Sequence, residues 1–167
     1  LKEYMKRYLL LIIPVFIFLR IFKLKRFLQY YIHKRKNVDR SAYIDSHVQI
    51  VVWKNLTIVK QTTICQDTWI NINHRKEDNK NLMIGNNCDI GRRNFFTVGP
   101  KMIISDYCTT SVDCRFLGAE HVFTSPLEPY NSSGVSKGGD IIIGPNCFFG
   151  AGATIMKNVK IGYGCII

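Results

Sequence analysis

Apolar residues return every six positions over most of this chain. In IIIGPNCFFGAGATIMKNVKIGYGCII, Ile143, Phe149, Ile155, Ile161 and Ile167 stand six apart, with Cys147, Ala153, Val159 and Cys165 in a small slot four residues after each opener. The same beat runs upstream through Ile104, Thr110 and Phe116, through Ile84, Ile90 and Phe96, through Ile58, Ile64 and Ile70, and through Val38, Ile44 and Ile50, the last three with Ala42, Val48 and Lys54 in the slot. It loses contrast toward the N-terminus, as the terminal coils of a repeat protein do. A six-residue unit is one short strand plus one tight corner, and three units close a triangular coil. The opener points inward. The small residue lies beside it, where a larger side chain would strike the coil above. Coils stack as parallel strands about 4.8 Å apart, so each coil pairs the edge of the last. The pattern predicts a mainly β fold, a parallel β-solenoid of five to six coils over residues 37–167. The period does not give its hand.

Two stretches break the beat. Residues 73–81, NHRKEDNKN, are polar and read as a surface loop. Residues 122–140, VFTSPLEPYNSSGVSKGGD, form a longer insertion that starts beside His121 and rejoins a regular coil. Long insertions in compact repeats carry function more often than packing.

Charge separates a second region. Residues 1–40 hold 11 basic and 2 acidic side chains, so most of the net charge of +11 belongs to the N-terminal segment. The body is near neutral, which argues against a nucleic-acid-binding domain. Residues 1–36 combine this charge with aromatic and leucine-rich stretches. The unbroken apolar run from Tyr8 to Leu19 is too short to span a bilayer and contains Pro14. No small-x-small cleavage site follows it. The expectation is an amphipathic helical segment lying in the membrane interface, with Lys23, Lys25, Arg26, Lys34, Arg35 and Lys36 on anionic head groups. A helix packed on the body or on a partner chain is the alternative.

Five of the six cysteines (Cys88, Cys108, Cys114, Cys147 and Cys165) fall in the small slot, and no CxxC pair or metal-ligand spacing is present. They are expected as small buried side chains in stacked columns, not ligands, nucleophiles or disulfides. Reduced thiols fit a cytoplasmic location, here at the inner face of the cell membrane.

The junction of His121 with its insertion, followed by IIIGPNCFFGAGATIMKNVKIGYGCII, resembles the left-handed β-helix, hexapeptide-repeat acyltransferases. It is most similar to the sugar O-acetyltransferase branch of maltose and galactoside acetyltransferases. The resemblance covers residues 82–167 well and residues 38–72 only by repeat pattern. It implies a left-handed helix, a homotrimer, and acetyl-CoA held as co-substrate in clefts between subunits. It also implies direct attack on the thioester without an acyl-enzyme. The chain departs from the pattern in its N-terminal segment and in stopping mid-repeat at Ile167, where many relatives continue through a further coil and a cap.

Acetyl transfer needs a base, a stabilised oxyanion and a held thioester. His121 is the candidate base, since a neutral imidazole takes a proton near neutral pH. By resemblance, the Ala151 amide contacts the thioester oxygen, with Gly150 and Gly152 permitting close approach. Phe148 would wall the pantetheine channel. Lys157 and Lys160 would meet the phosphates of CoA. Asn94 would help position the acceptor. Each has a plainer reading: corner glycines, a surface aromatic, solvated lysines, and an Asn tied to stacked backbone. Glu120 is a weak candidate for orienting His121, because neighbours on an extended strand point to opposite faces.

The resulting expectation is a membrane-associated, acetyl-CoA-dependent O-acetyltransferase without a metal. Its acceptor would be a sugar hydroxyl, such as one of a surface polysaccharide or lipid-linked precursor. N-acetylation of an amino sugar and a non-catalytic membrane-docked scaffold are the alternatives. A zinc carbonic anhydrase on the same architecture is disfavoured, because the four histidines lack the spacing of a three-ligand site.

Overall fold

The computed structural model describes residues 36–73, 80–123, 125–127, 129–136 and 138–167. The chain divides into two units, Leu1–Lys36 and Asn37–Ile167. The helical, membrane-facing reading of residues 1–36 lies outside the described residues, Lys36 apart, as does most of the polar loop at 73–81. Among the described residues, no helix is long and apolar enough to cross a membrane.

The second unit is a triangular prism of parallel strands in five coils. Its first face holds β1 (Tyr43–Ile44), β4 (Thr63–Ile64), β7 (Asp89–Ile90), β10 (Thr109–Thr110) and β13 (Phe148–Phe149). The second holds β2 (Gln49–Val51), β5 (Trp69–Ile72), β8 (Phe95–Val98), β11 (Arg115–Leu117) and β14 (Thr154–Met156). The third holds β3 (Leu56–Ile58), β6 (Leu82–Ile84), β9 (Met102–Ile104), β12 (Ile141–Ile143) and β15 (Val159–Ile161). The register stacks the six-residue openers on one another. Ile70 pairs with Ile50 and Phe96, and Phe116 pairs with Phe96 and Ile155. These columns fill the interior. Phe96 and Phe116 stack at 4.7 Å between ring centroids, and Phe149 closes edge-on against Phe116 at 5.4 Å.

The corners explain the rest of the repeat. Among the described residues, the ten non-glycine residues with positive φ lie at corners, including Asn87, Tyr107 and Asn146 between the third and first faces and Asp67, Arg93 and Asp113 between the first and second. The residue after each of these six is the small slot. That slot asks for more than smallness. Thr62 Oγ1 donates to the Gly85 carbonyl of the next coil at 2.6 Å, Cys88 Sγ to Ser105 at 3.1 Å, Cys108 Sγ to Gly144 at 3.2 Å and Cys147 Sγ to Gly162 at 3.0 Å. Along the neighbouring corner Thr68 reaches the Gly91 carbonyl and Cys114 the Gly150 carbonyl. The columns are therefore small donors that tie corner carbonyls from coil to coil, and all six thiols are free. Between Ile50 and Leu56 the beat slips. A short 3₁₀ turn at Trp53–Asn55 lengthens the corner, so Lys54 does not occupy a small slot and stands exposed.

Chain-length irregularities fall on one edge of the prism. Every connection from the first face to the second, and from the third to the first, is four residues long. From the second face to the third the connections are residues 52–55, 73–81, 99–101, 118–140 and 157–158. Both breaks read from the sequence thus leave the same edge, one coil apart from the intervening Gly99 corner.

Candidate functional site

The 118–140 excursion is an arm with two paired legs. His121 and Val135 form an antiparallel bridge. The Val122 N–H donates to the Gly134 carbonyl at 3.2 Å, and the Ser136 N–H to the Glu120 carbonyl at 2.8 Å. At the root the legs cross over the Gly99 corner. A Cβ on Gly99 would collide with the Gly118 carbonyl, so this crossing requires glycine. The Gly118 N–H in turn donates to the Thr97 carbonyl at 2.7 Å, continuing the sheet for one more bond before the chain departs. Further out, Phe123 and Tyr130 meet edge to face at 5.9 Å, and Leu127 is 92% exposed.

His121 is exposed on the outgoing leg. Its imidazole has no hydrogen-bond partner among the described residues, so both ring nitrogens are open to a ligand. The adjacent Glu120 carboxylate pairs with the Lys157 ammonium, which lies on the same edge one coil further along. Both side chains are partly buried, at 31% and 35% exposure. Lys157, a candidate for CoA phosphates or for a solvated face, has its charge paired with Glu120. Glu120 does not orient the imidazole by direct contact, because its carboxylate is taken up by the prism.

A second group of expected residues gathers at another edge. Phe148 points outward from the first face at 45% exposure. Gly150, Ala151, Gly152 and Ala153 form the following corner, closed by an Ala153 N–H to Gly150 carbonyl bond of 3.1 Å. Gly152 carries φ +75 and donates its N–H to Val112, whereas the Ala151 N–H has no acceptor among the described residues and faces solvent. Such an amide is a usable oxyanion donor. The equivalent amides of Arg92 and Val112 are also free, so the corner geometry supplies the donor and its neighbours decide its use.

Asn94 belongs to neither group. It is 1% exposed, its Nδ2 donates to the Gly91 carbonyl at 3.0 Å and to Thr110 Oγ1 at 2.6 Å, and its Oδ1 accepts the Cys114 N–H at 2.6 Å. These hydrogen-bonding groups of Asn94 are engaged inside the stack, which accords with the reading of an Asn tied to stacked backbone.

Face two, spanned in the last coil by β14, separates the Ala151 corner from the edge that bears His121. On the His121 edge an open depression of about 540 Å³ is lined by Pro100, Gly138, Gly139, Asp140, Asn158 and Lys160. Lys160 stands exposed at its rim. Sequence reasoning did not find this depression or the Glu120–Lys157 pair. Their signal was the shared edge, which appears only once the coils are stacked. Among the described residues no group of His, Cys, Asp or Glu is arranged to hold a metal ion.

Burial raises the Cys114 and Cys147 thiols above the ordinary range. The Cys88 sulfur, and then burial, raise Cys108 further, while the same contact lowers Cys88.

No family model matches the chain, and no curated protein matches it. Solved structures do. A variant of AntD, an N-acyltransferase from Bacillus cereus in complex with dTDP and coenzyme A, is similar at 16% identity over 78% of this chain and 72% of that one, with a TM-score of 0.49. AntD in complex with dTDP and 3-hydroxybutyryl-CoA is similar at 15% identity over 78% and 68%, with a TM-score of 0.42. A maltose O-acetyltransferase from Clostridium difficile 630 is similar at 20% identity over 78% and 58%, with a TM-score of 0.36. All three are acyltransferases.

Proposed function

We propose that this chain is a left-handed β-helix acyltransferase that moves an acetyl group from acetyl-CoA to a sugar acceptor, with His121 as general base. The observation that carries the reading is the arm: a ribbon leaving one edge of an otherwise regular prism, with an exposed imidazole of open hydrogen-bonding capacity at its root. In the reaction, His121 takes the acceptor proton as the hydroxyl oxygen attacks the thioester carbonyl. The Ala151 amide donates to the oxygen that gains charge, and CoA leaves as the thiol after receiving the proton.

His121 and Ala151 occupy different edges of one chain, so the complete site joins the arm of one copy to the corner of another. A homotrimer supplies that pairing three times. Phe148 then borders the pantetheine, beside Gly150 and Gly152, and Lys160 meets phosphate. Residues 1–36 would bring the site to the inner face of a membrane, where a lipid-linked sugar or nascent polysaccharide resides. An amino sugar would use the same base and the same amide.

The test is release of CoA thiol from acetyl-CoA with a panel of sugars and amino sugars. Turnover with a hydroxyl acceptor, lowered about 10²- to 10⁴-fold by His121→Ala, is the expected result. Turnover confined to amines reassigns the acceptor. Undiminished activity in His121→Ala refutes the mechanism, and absence of CoA binding in a thermal-shift titration refutes the transferase reading in favour of a scaffold.

A further inference from the structure

We propose that the Glu120–Lys157 ion pair is the positioning device for His121, fixing the direction in which the arm leaves the prism. This rests on His121 acting as the base. Short of Glu120, the arm is tied to the prism through one residue: the Gly118 N–H donates to the Thr97 carbonyl at 2.7 Å, and Thr97 Oγ1 donates to the Ala119 carbonyl at 3.2 Å. Its root is built from Gly118, Gly138 and Gly139, which have no side chains to pack. Its apolar groups face away: Phe123 is 64% exposed and Leu127 92%. The hydrogen bonds of Val122 and Ser136 hold one leg to the other. They set the ribbon's width, not its angle to the prism.

Glu120 supplies the angle. Among the described residues, its bond to Lys157 is the ion pair that joins arm to prism. Lys157 sits on the tightest corner of that edge, the two-residue turn 157–158 where Asn158 carries φ +63 between β14 and β15. The anchor is thus a side chain on fixed backbone. Because successive residues of an extended leg face opposite ways, drawing Glu120 onto the prism turns His121 outward. Partial burial shields the pair from the screening that weakens fully exposed ion pairs. An error of about 1 Å in a reacting group costs on the order of 10²-fold in rate, so a small loss of arm direction is a large loss of turnover.

The experiment uses the full chain with Glu120→Gln, Lys157→Met, and the charge-swapped pair Glu120→Lys with Lys157→Glu. Each single variant is expected to lower kcat about 10- to 100-fold while leaving KM for acetyl-CoA within about twofold. Each should also speed hydrogen exchange at the Gly118 amide, which bonds the arm's root to Thr97 of the prism, without moving the melting temperature of the prism. The swapped pair is expected to recover both readouts. A rise in KM for acetyl-CoA at unchanged kcat would make Lys157 a CoA contact and overturn the proposal. Unchanged exchange in the single variants, or a swap as slow as the singles, would also overturn it. The exchange readout needs no turnover. A wild-type chain that releases no CoA therefore defeats the transferase reading, while exchange still decides whether the pair anchors the arm.

Discussion

The backbone N–H of Cys114 donates to the Asn94 side-chain oxygen at 2.6 Å, so one asparagine holds two successive corners together. Within its own column of small slots, Asn94 serves both as donor and as acceptor. Thr68 and Cys114, below and above it, donate alone through their side chains to Gly91 and Gly150.

Asn94→Ala leaves the buried Cys114 amide without an acceptor. The expected cost is about 1–3 kcal/mol of stability, read as a lower midpoint in urea unfolding. Turnover per folded molecule should be unchanged. A raised KM for the acceptor with an unmoved midpoint would return Asn94 to the acceptor site.

Ala151→Pro separates the amide from the fold. Ala151 is the second residue of a four-residue corner whose third residue has positive φ, a position that proline accepts. Pro145 already occupies the matching place, ahead of Asn146 at φ +59. The variant is expected to keep its melting temperature and lose about 10²- to 10³-fold in kcat, because only the N–H is removed. Full activity would show that the oxyanion is held elsewhere.

Cys108→Thr and Cys108→Val test why thiols fill the slot. Threonine keeps a donor toward the Gly144 carbonyl, as Thr62 does toward Gly85, and valine does not. Valine should be the less stable of the two by about 1 kcal/mol in chemical unfolding. Equal stability would mean that volume alone governs the column.

Alkaline pH should weaken the prism through Cys114 and Cys147. Burial raises both folded thiols, so the unfolded chain loses its protons first as pH rises. Their contribution is complete below about pH 8.5, the ordinary thiol value, and declines above it toward the raised folded values. Unfolding midpoints should fall from that pH upward, and Cys114→Thr with Cys147→Thr should flatten the decline. A midpoint independent of pH between 8 and 10 in the unsubstituted chain would contradict it.

Gly99→Ala tests the arm's root. The added methyl meets the carbonyl of Gly118, a residue whose N–H donates to the Thr97 carbonyl and whose carbonyl accepts the Gly139 N–H. The expected result is a loss of about 1–3 kcal/mol and faster exchange at the Gly118 and Gly139 amides. An unaltered exchange pattern would show that the crossing yields without cost.

The six-residue beat by itself determined the prism. Side chains that recur every sixth residue must line one face of each strand, and a small residue four places on must sit where coils touch. The inward columns, the parallel register and the buried thiols follow from that spacing. It also exposed the two interruptions and His121 beside one of them. The same reading misplaced Lys54, because a corner two residues longer than regular is invisible when the neighbouring openers still look in phase. It also left Asn94 and Lys157 open between a ligand contact and a plainer structural or solvated role. A polar residue in a repeat reads alike whether it faces a substrate or a carbonyl of the next coil; only stacking supplies Cys114 to one and Glu120 to the other. That the breaks share an edge was likewise a tertiary decision, since coils bring together residues 18 to 39 positions apart. Local chemistry wrote the strands and turns, and the closing of successive coils chose which polar groups were spent on the fold and which, like the His121 imidazole and the Ala151 amide, were left open.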